Sequence, residues 1–410
     1  MARKGSSPRA RATAVDSSES ARLGPPFLAT PRLLTRSDLD KLIAELRRRG
    51  YTTLGPVVRD NTLRRAPVTS TADLPVGWHD EQAPGHYRLR PSDDDELFGY
   101  AVGPDSLKPL VLPASTTLFS ASVHAGHTEL RAAEQPSERV AVLGARACEV
   151  AALEILLRVL CQGTHVDPEA ARRRENLFLA VVECNRPAAT CFCTSFDTGP
   201  DASHGFDLAL TEIRDGGPAR FVVRPGSSLG AEVLAALPTR PARAEDRDAR
   251  LTQLAAARAA IERRLSPGET ASRLGAHIDD PEWDDVAQRC CSCGNCTLVC
   301  PTCFCTDVHD ESDVDSVSRT RRWSSCFELG HSLLSSGPVR RSVASRYRQW
   351  ATHKLSTWQD QFGTAGCVGC GRCVTWCPVG IDLTVEVAAV GVGVGVGVGV
   401  GVGVGVEERS

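Results

Sequence analysis

A cysteine pattern occurs twice near the carboxyl end of this 410-residue chain. The first copy is Cys290-x2-Cys293-x2-Cys296-x3-Cys300-Pro301, and the second is Cys367-x2-Cys370-x2-Cys373-x3-Cys377-Pro378. Three thiolates separated by two residues each on a tight loop can cap three corners of one cube, while the fourth thiolate comes from a distance. The pattern therefore indicates cubane iron–sulfur clusters, and it constrains the fold of the surrounding chain more than any other feature.

Zinc is the competing interpretation, because paired C-x2-C spacings also make tetrahedral zinc sites. A zinc site needs only two such pairs, however, and it requires neither the third cysteine nor the x3 step and the proline. All of these features occur twice, so the pattern favours iron–sulfur clusters over zinc.

The ligand sets follow from a resemblance to bacterial two-cluster ferredoxins, in which the distant ligand of each cluster belongs to the other motif. Transferred to this chain, that arrangement predicts two [4Fe-4S] clusters. The first is expected to take Cys290, Cys293, Cys296 and Cys377, and the second Cys367, Cys370, Cys373 and Cys300. Gly294, Gly369 and Gly371 lie between ligands, where the backbone must bend close to a cluster.

A second group of cysteines lies in the middle of the chain, after two predicted buried strands at 140–143 and 177–182 that flank an apolar helix. The four are Cys148, Cys184, Cys191 and Cys193. Because strand ends of a β-α-β unit meet at one edge of a sheet, these thiols could converge and hold a third metal or iron–sulfur cluster. The alternative is that they are buried small hydrophobic side chains, since C-x-C is no established cubane motif.

The remaining cysteines have no pattern that assigns them a role. The tetrapeptide Thr-Cys-Phe-Cys occurs at 190–193 and again at 302–305. Cys303 and Cys305 could ligate a metal, tune a cluster or simply pack, and these alternatives stay open. Cys161 and Cys326 are expected to pack, and Cys291 is out of register with the ligand run.

Composition and periodicity predict an α+β chain. A mixed α/β region is followed by a largely helical, ferredoxin-like dicluster domain with a long insertion between its two cluster motifs. The expected boundaries are a disordered tail at 1–30, the mixed domain at 31–240, a helical linker at 241–284, the dicluster domain at 285–388 and a low-complexity Val-Gly tail at 389–410.

Several elements are expected within this plan. An amphipathic helix should cover 39–46 and stop at Gly50, and a helix should cover 244–264. Short strands at 52–58, 86–89, 97–102 and 109–112 should form a twisted antiparallel sheet, and 206–213 with 220–223 should form a hairpin. Tyr347, Trp350 and Trp358 have helical spacing, which is more often typical of a core than of a docking surface. The seven arginines of the insertion could offset cluster charge, face an acidic partner or form a solvated basic face.

Composition also excludes some classes of function. Most of the seventeen cysteines sit in metal-type spacings and must stay reduced, which predicts the cytoplasm. We expect no membrane partner, because no run of 18 ordinary apolar residues occurs, and no nucleic-acid partner, because the net charge is −3. No G-x-G-x-x-G follows a strand, and neither a phosphate-binding loop nor H-E-x-x-H occurs, so no catalytic residues are predicted.

Longer stretches around these motifs resemble a known family. They are Cys290-Cys-Ser-Cys-Gly-Asn-Cys-Thr-Leu-Val-Cys-Pro-Thr-Cys-Phe-Cys305, Ser345-Arg-Tyr-Arg-Gln-Trp-Ala-Thr-His-Lys-Leu355, Gly366-Cys-Val-Gly-Cys-Gly-Arg-Cys-Val-Thr-Trp-Cys-Pro-Val-Gly-Ile-Asp382, Gly144-Ala-Arg-Ala-Cys-Glu149 and Thr190-Cys-Phe-Cys-Thr-Ser195. Together they resemble the 4Fe-4S dicluster component common to cytoplasmic sulfhydrogenases, where it is the hydrogenase/sulfur reductase beta chain, and to anaerobic sulfite reductases. The resemblance extends over about residues 35–388.

The resemblance implies an iron–sulfur electron-transfer subunit that is not catalytic alone. Such a subunit would pass electrons between a flavoprotein that binds flavin and NAD(P) and a hydrogenase or a sulfite- or sulfur-reducing catalytic subunit. An iron–sulfur redox sensor is the alternative, although no helix-turn-helix or basic-region pattern is evident. Sulfur or sulfite reduction by this chain alone lacks a visible substrate site.

Overall fold

The computed structural model describes residues 30–124, 127–132, 138–217, 219–314 and 316–392. The predicted disordered tail lies outside the described residues except for its last residue. The predicted Val-Gly tail lies outside them except for 389–392.

The strands of the described part are β1 (Arg32–Thr35), β2 (Tyr51–Arg59), β3 (Thr62–Pro67), β4 (Trp78–Ala83), β5 (His86–Pro91), β6 (Ser115–His124), β7 (His127–Ala132), β8 (Arg139–Ala145), β9 (Leu177–Val182), β10 (Leu208–Ile213), β11 (Arg220–Pro225), β12 (Arg240–Pro241), β13 (Thr306–Ser312), β14 (Ser316–Trp323), β15 (Leu333–Leu334) and β16 (Gly337–Pro338). The α-helices are α1 (Arg36–Arg48), α2 (Lys108–Val111), α3 (Ala147–Cys161), α4 (Pro168–Glu175), α5 (Ser228–Ala235), α6 (Ala244–Ala259), α7 (Pro267–Ala276), α8 (Glu282–Arg289), α9 (Asn295–Leu298), α10 (Val343–Thr352), α11 (Trp358–Phe362), α12 (Arg372–Thr375) and α13 (Leu383–Ala389). One π-helical turn, His353–Thr357, joins α10 to α11.

An eight-stranded mixed sheet organises the first half of the chain, in the order β12-β1-β11-β10-β9-β8-β2-β3. Its centre is parallel, with β2 beside β8, β8 beside β9 and β9 beside β10. Every residue of β9 is buried, as expected for a strand covered on both faces. The predicted β-α-β unit is therefore confirmed as β8, α3 and β9, and it places the ends of these two strands at one edge of the sheet.

Other predicted elements are confirmed with small shifts of their ends. Helix α1 begins after the N-cap Thr35, and Leu39, Leu42 and Ile43 are buried on one face. Strands β10 and β11 form the predicted hairpin, pairing Leu208 with Pro225 at its open end. The predicted helix at 244–264 ends earlier, because α6 stops at Ala259 and the chain then leaves the helical conformation.

The prediction of one antiparallel sheet from 52 to 112 is wrong. Strand β2 belongs to the eight-stranded mixed sheet, whereas β5 pairs with β4 in a separate two-stranded sheet, and two of the four predicted strands do not form. Residues 97–102 are buried but irregular, because two buried side chains take their backbone groups. The Glu212 carboxylate accepts hydrogen bonds from the amides of Leu97 and Phe98, and the Arg146 guanidinium donates to the carbonyls of Phe98 and Tyr100. Residues 109–112 are not a strand either, since Pro109 near the first position of α2 favours a helix start.

The insertion between the two cysteine motifs joins the first half of the chain. Strands β13 and β14 form a long hairpin, and β14 pairs with β6, so that a four-stranded sheet runs β13-β14-β6-β7. Its arginines form ion pairs within the chain, Arg319 with Asp310, Arg321 with Asp167 and Arg322 with Glu311. These three are therefore partnered by carboxylates of the same chain.

The cysteine-rich half contains its own hydrophobic core. The predicted aromatic stripe is buried, with Tyr347, Trp350 and Trp358 each at most 4% exposed. Trp283 of α8 and Phe327 pack against Tyr347, and several cysteines line the same core. The described residues are thus mixed α/β, and no helix among them is long and apolar enough to cross a membrane.

Candidate iron–sulfur centres

The two cysteine motifs meet at one cavity in the carboxyl-terminal half. The cysteines that line it are Cys290, Cys291, Cys293, Cys296, Cys373 and Cys377. Cys377 of the second motif therefore faces the same space as the first three cysteines of the first motif. The four residues of the first predicted ligand set are together, whereas Cys300 does not line this cavity.

Local backbone geometry bends the first motif around the cavity. Helix α8 ends at Arg289 with Cys290 as its C-cap, and Ser292 and Gly294 take positive φ values of 56° and 72° before α9 begins. The amide of Ser292 points back at the Cys290 sulfur over 3.4 Å. On the second motif, the amide of Ile381 lies 3.4 Å from the Cys377 sulfur. Backbone donors of both loops thus face the thiol sulfurs, as the sulfurs of a cluster site require.

Two side-chain donors at this cavity lack partners within the described residues. The Tyr347 hydroxyl and the Trp350 indole Nε1 are buried and make no hydrogen bond, although both residues line the cavity. A buried donor without an acceptor is costly, so its presence indicates an occupant that accepts hydrogen bonds. Burial raises the pKa of the Cys296 thiol well above its usual value, and the thiols of Cys290 and Cys293 add to that rise.

The second predicted ligand set lies deeper. Cys300, Cys367 and Cys370 are each about 9% exposed. Burial raises the pKa of the Cys373 thiol well above its usual value, and the nearby thiols of Cys367, Cys300 and Cys370 raise it further. Cys300 therefore lies near the cysteines of the second motif. The amide of Gly369 approaches the Cys367 sulfur at 3.4 Å, which repeats the backbone geometry of the first loop.

A lysine that the sequence reasoning did not single out as functional lies at this second group. Lys354 Nζ donates to the Cys300 sulfur at 3.3 Å, to Thr302 Oγ1 at 3.0 Å and to the Gly366 carbonyl at 2.8 Å. Its position within the buried aromatic stripe is a signal that could have identified it, because a lysine rarely occupies a core position without a partner of opposite charge.

The four middle cysteines also come together, at the sheet edge. Cys148 lies in the first turn of α3, directly after β8, and Cys184 follows β9. Burial raises the pKa of the Cys148 thiol well above its usual value, and the neighbouring thiols of Cys370, Cys193 and Cys184 raise it further. Burial also raises the pKa of the Cys191 thiol well above its usual value, and the thiols of Cys193 and Cys184 raise it further. This third group therefore lies beside Cys370 of the second.

Buried cations surround the third group. Arg146 and Arg372 are at most 2% exposed, and Arg146 Nε and Arg372 Nη1 have no hydrogen-bond partner within the described residues. Burial acts to lower the pKa of Arg146, but Cys184 and other neighbours raise it overall. Arg372 contacts Cys370 and also lies near Cys148. Two guanidiniums with free donors next to four thiols indicate an anionic occupant.

The spacing of these sulfurs bears on the kind of metal. Among the described residues, His79, Asp94 and Glu96 form a group of three metal-binding side chains whose donor atoms all lie within 4.8 Å of one another. No group of three or more described cysteines has its sulfurs that close together. Four thiolates on a single zinc ion, at about 2.3 Å each, must lie closer together than this. The cysteine groups are convergent but wider, which suits a multinuclear cluster better than one ion.

Comparisons with known proteins agree with this chemistry. Residues 289–381 match the 4Fe-4S dicluster domain family. The chain is 33% identical over 245 residues to the sulfhydrogenase 2 beta subunit of Pyrococcus furiosus, and the match covers 59% of this chain and 71% of that protein. The chain belongs to this dicluster family. No solved structure matches it significantly.

Membership of the dicluster family makes iron–sulfur clusters the group to test against these residues, and they fit. Thiols from both motifs converge, backbone amides face the sulfurs, and unpartnered donors line the space between them. The family resemblance that the motifs predicted is thus confirmed. Sequence reasoning missed the buried cations Lys354, Arg146 and Arg372, whose role depends on contacts between distant segments.

Proposed function

We propose that this chain is the electron-transfer subunit of an oxidoreductase complex and that it holds three [4Fe-4S] clusters. Cluster 1 is held by Cys290, Cys293, Cys296 and Cys377; cluster 2 by Cys367, Cys370, Cys373 and Cys300; and cluster 3 by Cys148, Cys184, Cys191 and Cys193. A bound [4Fe-4S] cluster supplies reversible one-electron transfer. The observation that supports the proposal is that Cys377 of the second motif lines the same cavity as Cys290, Cys293 and Cys296 of the first.

The third ligand set deepens the proposal beyond the dicluster domain. Four thiols at the end of β8 and β9 lie together in a site where Arg146 and Arg372 supply positive charge. The second motif docks closely on this site, because the amide of Phe192 donates to the Gly369 carbonyl over 2.8 Å. The sheet edge and the second cysteine loop are therefore in direct contact between clusters 2 and 3.

The positions of the three sets define a route for electrons. Cys293 is exposed, whereas three of the four cysteines of cluster 2 and three of the four cysteines of cluster 3 are buried. Cys296 lies near Cys373, and Cys370 lies near Cys148. Cluster 2 is therefore the middle member of the series, and the protein excludes water from it by burying its ligands.

The partners follow from the family. The relative's name describes a beta subunit of a sulfhydrogenase, which supports the presence of other subunits. We infer a flavoprotein that binds NAD(P) on one side and a hydrogenase or a sulfite- or sulfur-reducing subunit on the other. The chain's seventeen cysteines are all free thiols, which supports a reducing compartment such as the cytoplasm. We also propose 285–388 as the dicluster domain, within which the family match at 289–381 falls.

Iron analysis of anaerobically purified protein tests the cluster assignment. The Cys184→Ala/Cys193→Ala variant should lose about four irons and four acid-labile sulfides per chain relative to wild type. Cys161→Ala is the matched control, because Cys161 ends α3 away from the four thiols and should leave both contents unchanged. Unchanged iron in the double variant would show that these thiols are structural. Zinc without sulfide in the wild-type protein would overturn all three assignments.

Electron transfer is tested by adding partners. Reduced wild-type protein should transfer electrons between a co-purified flavoprotein and a co-purified hydrogenase-like or reductase subunit. Cys370→Ala should interrupt that transfer while cluster 1 still becomes reduced, because Cys370 lies in the middle of the route. Unimpaired transfer through the Cys370→Ala variant would exclude the proposed order of the clusters.

A further inference from the structure

A cavity that none of the proposed clusters occupies lies at the carboxyl ends of β2 and β8. It is lined by Pro56 of β2, by Arg64 and Arg65 of β3 and by Gly144 of β8, and no cysteine of the described chain lines it. The Arg64 side chain is half-exposed, so one side of the cavity opens to solvent. Its volume of about 40 Å³ has room for about three waters or one small ion.

The charged side chains that line this cavity are mainly cationic. They are four arginines, Arg64, Arg65, Arg146 and Arg372, and two carboxylates, Asp105 and Glu149. Burial acts to raise the pKa of Glu149, but Arg65 and Arg372 lower it overall. Burial also acts to raise the pKa of Asp105, and Arg64 and Arg65 lower it overall. Both carboxylates are therefore ionised at neutral pH, and the lining keeps an excess of two positive charges.

The two carboxylates already have arginine partners. Glu149 Oε1 accepts from Arg65 Nη2 at 3.2 Å and from Arg372 Nη2 at 2.8 Å. Asp105 Oδ2 accepts from Arg64 Nε and from the Arg65 amide, each at 2.9 Å. These bonds use only some of the donors that the arginines carry, because each guanidinium has five N–H groups.

Four buried donor atoms on lining residues have no hydrogen-bond partner within the described part of the chain. They are Arg65 Nη1, Tyr100 Oη, Arg146 Nε and Arg372 Nη1. Arg146 and Arg372 also lie beside the third thiol group, whose proposed cluster can accept from them. Arg65 Nη1 and Tyr100 Oη need a different acceptor, because a buried donor without one is costly and a buried tyrosine hydroxyl usually has a partner.

We propose that this cavity binds one small oxoanion of the phosphate or sulfate class. Arg65 Nη1 and Tyr100 Oη donate to its oxygens, and the planar guanidinium groups around it match the spacing of two oxygens on one anion. The excess of two positive charges fits a dianion. Arg64 supplies positive charge at the open side, where an anion enters from solvent.

The position of this anion site links it to the proposed relay. Arg372 lines the cavity and follows Cys370, which packs with Cys148 and Cys193 of the third thiol group. A dianion beside the proposed cluster 3 disfavours the additional negative charge of its reduced state, so binding should lower its reduction potential. This consequence rests on the proposed function, whereas anion binding itself does not.

Calorimetric titration of the anaerobically purified whole chain with inorganic phosphate and with sulfate tests the site. In a chloride buffer of matched ionic strength, wild type should bind one anion per chain. Tyr100→Phe should weaken binding roughly tenfold or more, because it removes a hydrogen bond to a charged group. Tyr51→Phe is the matched control, since the Tyr51 hydroxyl accepts from Arg139 at the opposite end of β2. Absence of saturable binding, or equal affinities of wild type and Tyr100→Phe, would overturn the proposal.

Two further measurements sharpen that test. Tyr100→Phe removes a hydroxyl without a partner and should fold normally, whereas Arg65→Met also removes a partner of Glu149. Phosphate should raise the unfolding temperature of wild type more than that of Arg65→Met, and equal increases would count against the site. AMP distinguishes a free anion from a phosphate ester, and it should bind more weakly than phosphate in so small a cavity. Tighter binding of AMP would overturn the assignment to a free anion.

Redox titrations monitored by EPR, with and without phosphate, test the link to the relay. Phosphate should shift one cluster signal of wild type to lower potential and should shift it less in Tyr100→Phe. Saturable binding without any shift would overturn the link to cluster 3 and keep the anion site. Unchanged iron in the Cys184→Ala/Cys193→Ala variant would instead overturn cluster 3, and phosphate binding by wild type would be unaffected.

Discussion

Lys354 donates a hydrogen bond from Nζ to the sulfur of Cys300 over 3.3 Å. Both groups are buried, and the lysine makes no salt bridge within the described residues. An ammonium that bonds directly to a cluster ligand stabilises the more negative, reduced state of that cluster. The pair therefore links the helical core of the insertion to the proposed cluster 2.

The first prediction concerns the reduction potential of that cluster. Lys354→Met should lower the midpoint potential of cluster 2 by something on the order of 100 mV, because it removes both the charge and the N–H···S bond. An EPR-monitored redox titration measures the change. Lys354→Arg keeps the charge and should restore most of the potential. A Lys354→Met protein that titrates like wild type would show that the lysine has a structural role only.

Arg372 is expected to contribute strongly to stability. Its Nη2 lies 2.8 Å from Glu149 Oε1, and the two side chains are 1% and 2% exposed. Arg372→Met should therefore destabilise the protein by about 3 kcal/mol, since it leaves a buried carboxylate with Arg65 as its remaining salt-bridge partner. Urea unfolding under anaerobic conditions measures the loss.

Two further variants test the cause of that loss. Glu149→Gln combined with Arg372→Met should recover part of the stability, because the fully buried carboxylate is then neutral, while Arg65, whose side chain is 13% exposed, loses this partner. Arg90→Met removes the exposed ion pair with Glu81 and should change stability little. Equal effects of Arg90→Met and Arg372→Met would contradict the assignment of a buried pair.

Gly369 allows the second cysteine loop to lie against the first Thr-Cys-Phe-Cys segment. Its φ is +63°, and a Cβ at this position would overlap the carbonyl group of Phe192. Gly369→Ala should destabilise the protein by about 2 kcal/mol or more and reduce the iron bound at the cluster 2 site. Thermal unfolding and iron content report the two effects. Gly163→Ala, where a Cβ meets no atom within 4 Å, should leave both values near wild type.

The buried carboxyl group of Glu212 should make the stability of the folded protein depend on pH. Burial raises the pKa of its carboxyl group to about 7, although the amides of Leu97 and Phe98 act in the opposite direction. The folded state then holds a proton that the unfolded state releases above its ordinary pKa of about 4.5. The protonated carboxyl group of Glu212 therefore stabilises the folded state at low pH, and this stabilisation is lost as the pH rises through about 7.

Unfolding temperatures at pH 6 and pH 8 test this dependence. Wild type should be less stable at pH 8, and Glu212→Gln should flatten that difference because amide side chains do not titrate. Glu129→Gln is the control, since Arg131 lowers the pKa of this exposed carboxyl group and it does not titrate in that range. A Glu212→Gln protein that retains the full pH slope would locate the titrating group elsewhere.

The irregular segment at 97–102 shows why local patterns failed at some elements. Its residues have strand-forming side chains, and the sequence alone predicted a strand there. In the folded chain Glu212 and Arg146, which are more than forty positions away in sequence, take the backbone groups that a strand would have paired. Side chains that reach this segment from distant parts of the chain leave no periodic signal in its own sequence, so local propensity could not predict these contacts.

The sequence by itself determined the chemistry of this protein. The doubled cysteine run predicted the dicluster domain, because thiolate spacing on a tight loop depends on local geometry that is encoded in consecutive residues. The β-α-β unit, the hairpin at β10–β11 and the aromatic core followed from short-range periodicity for the same reason.

Only the tertiary structure decided which distant residues meet. It brought Cys148 and Cys184 to Cys193 beside the second motif. It also buried Lys354 and Arg372 next to thiols. These contacts join segments tens to hundreds of residues apart, and they depend on packing and charge compensation in the folded interior rather than on spacing along the chain.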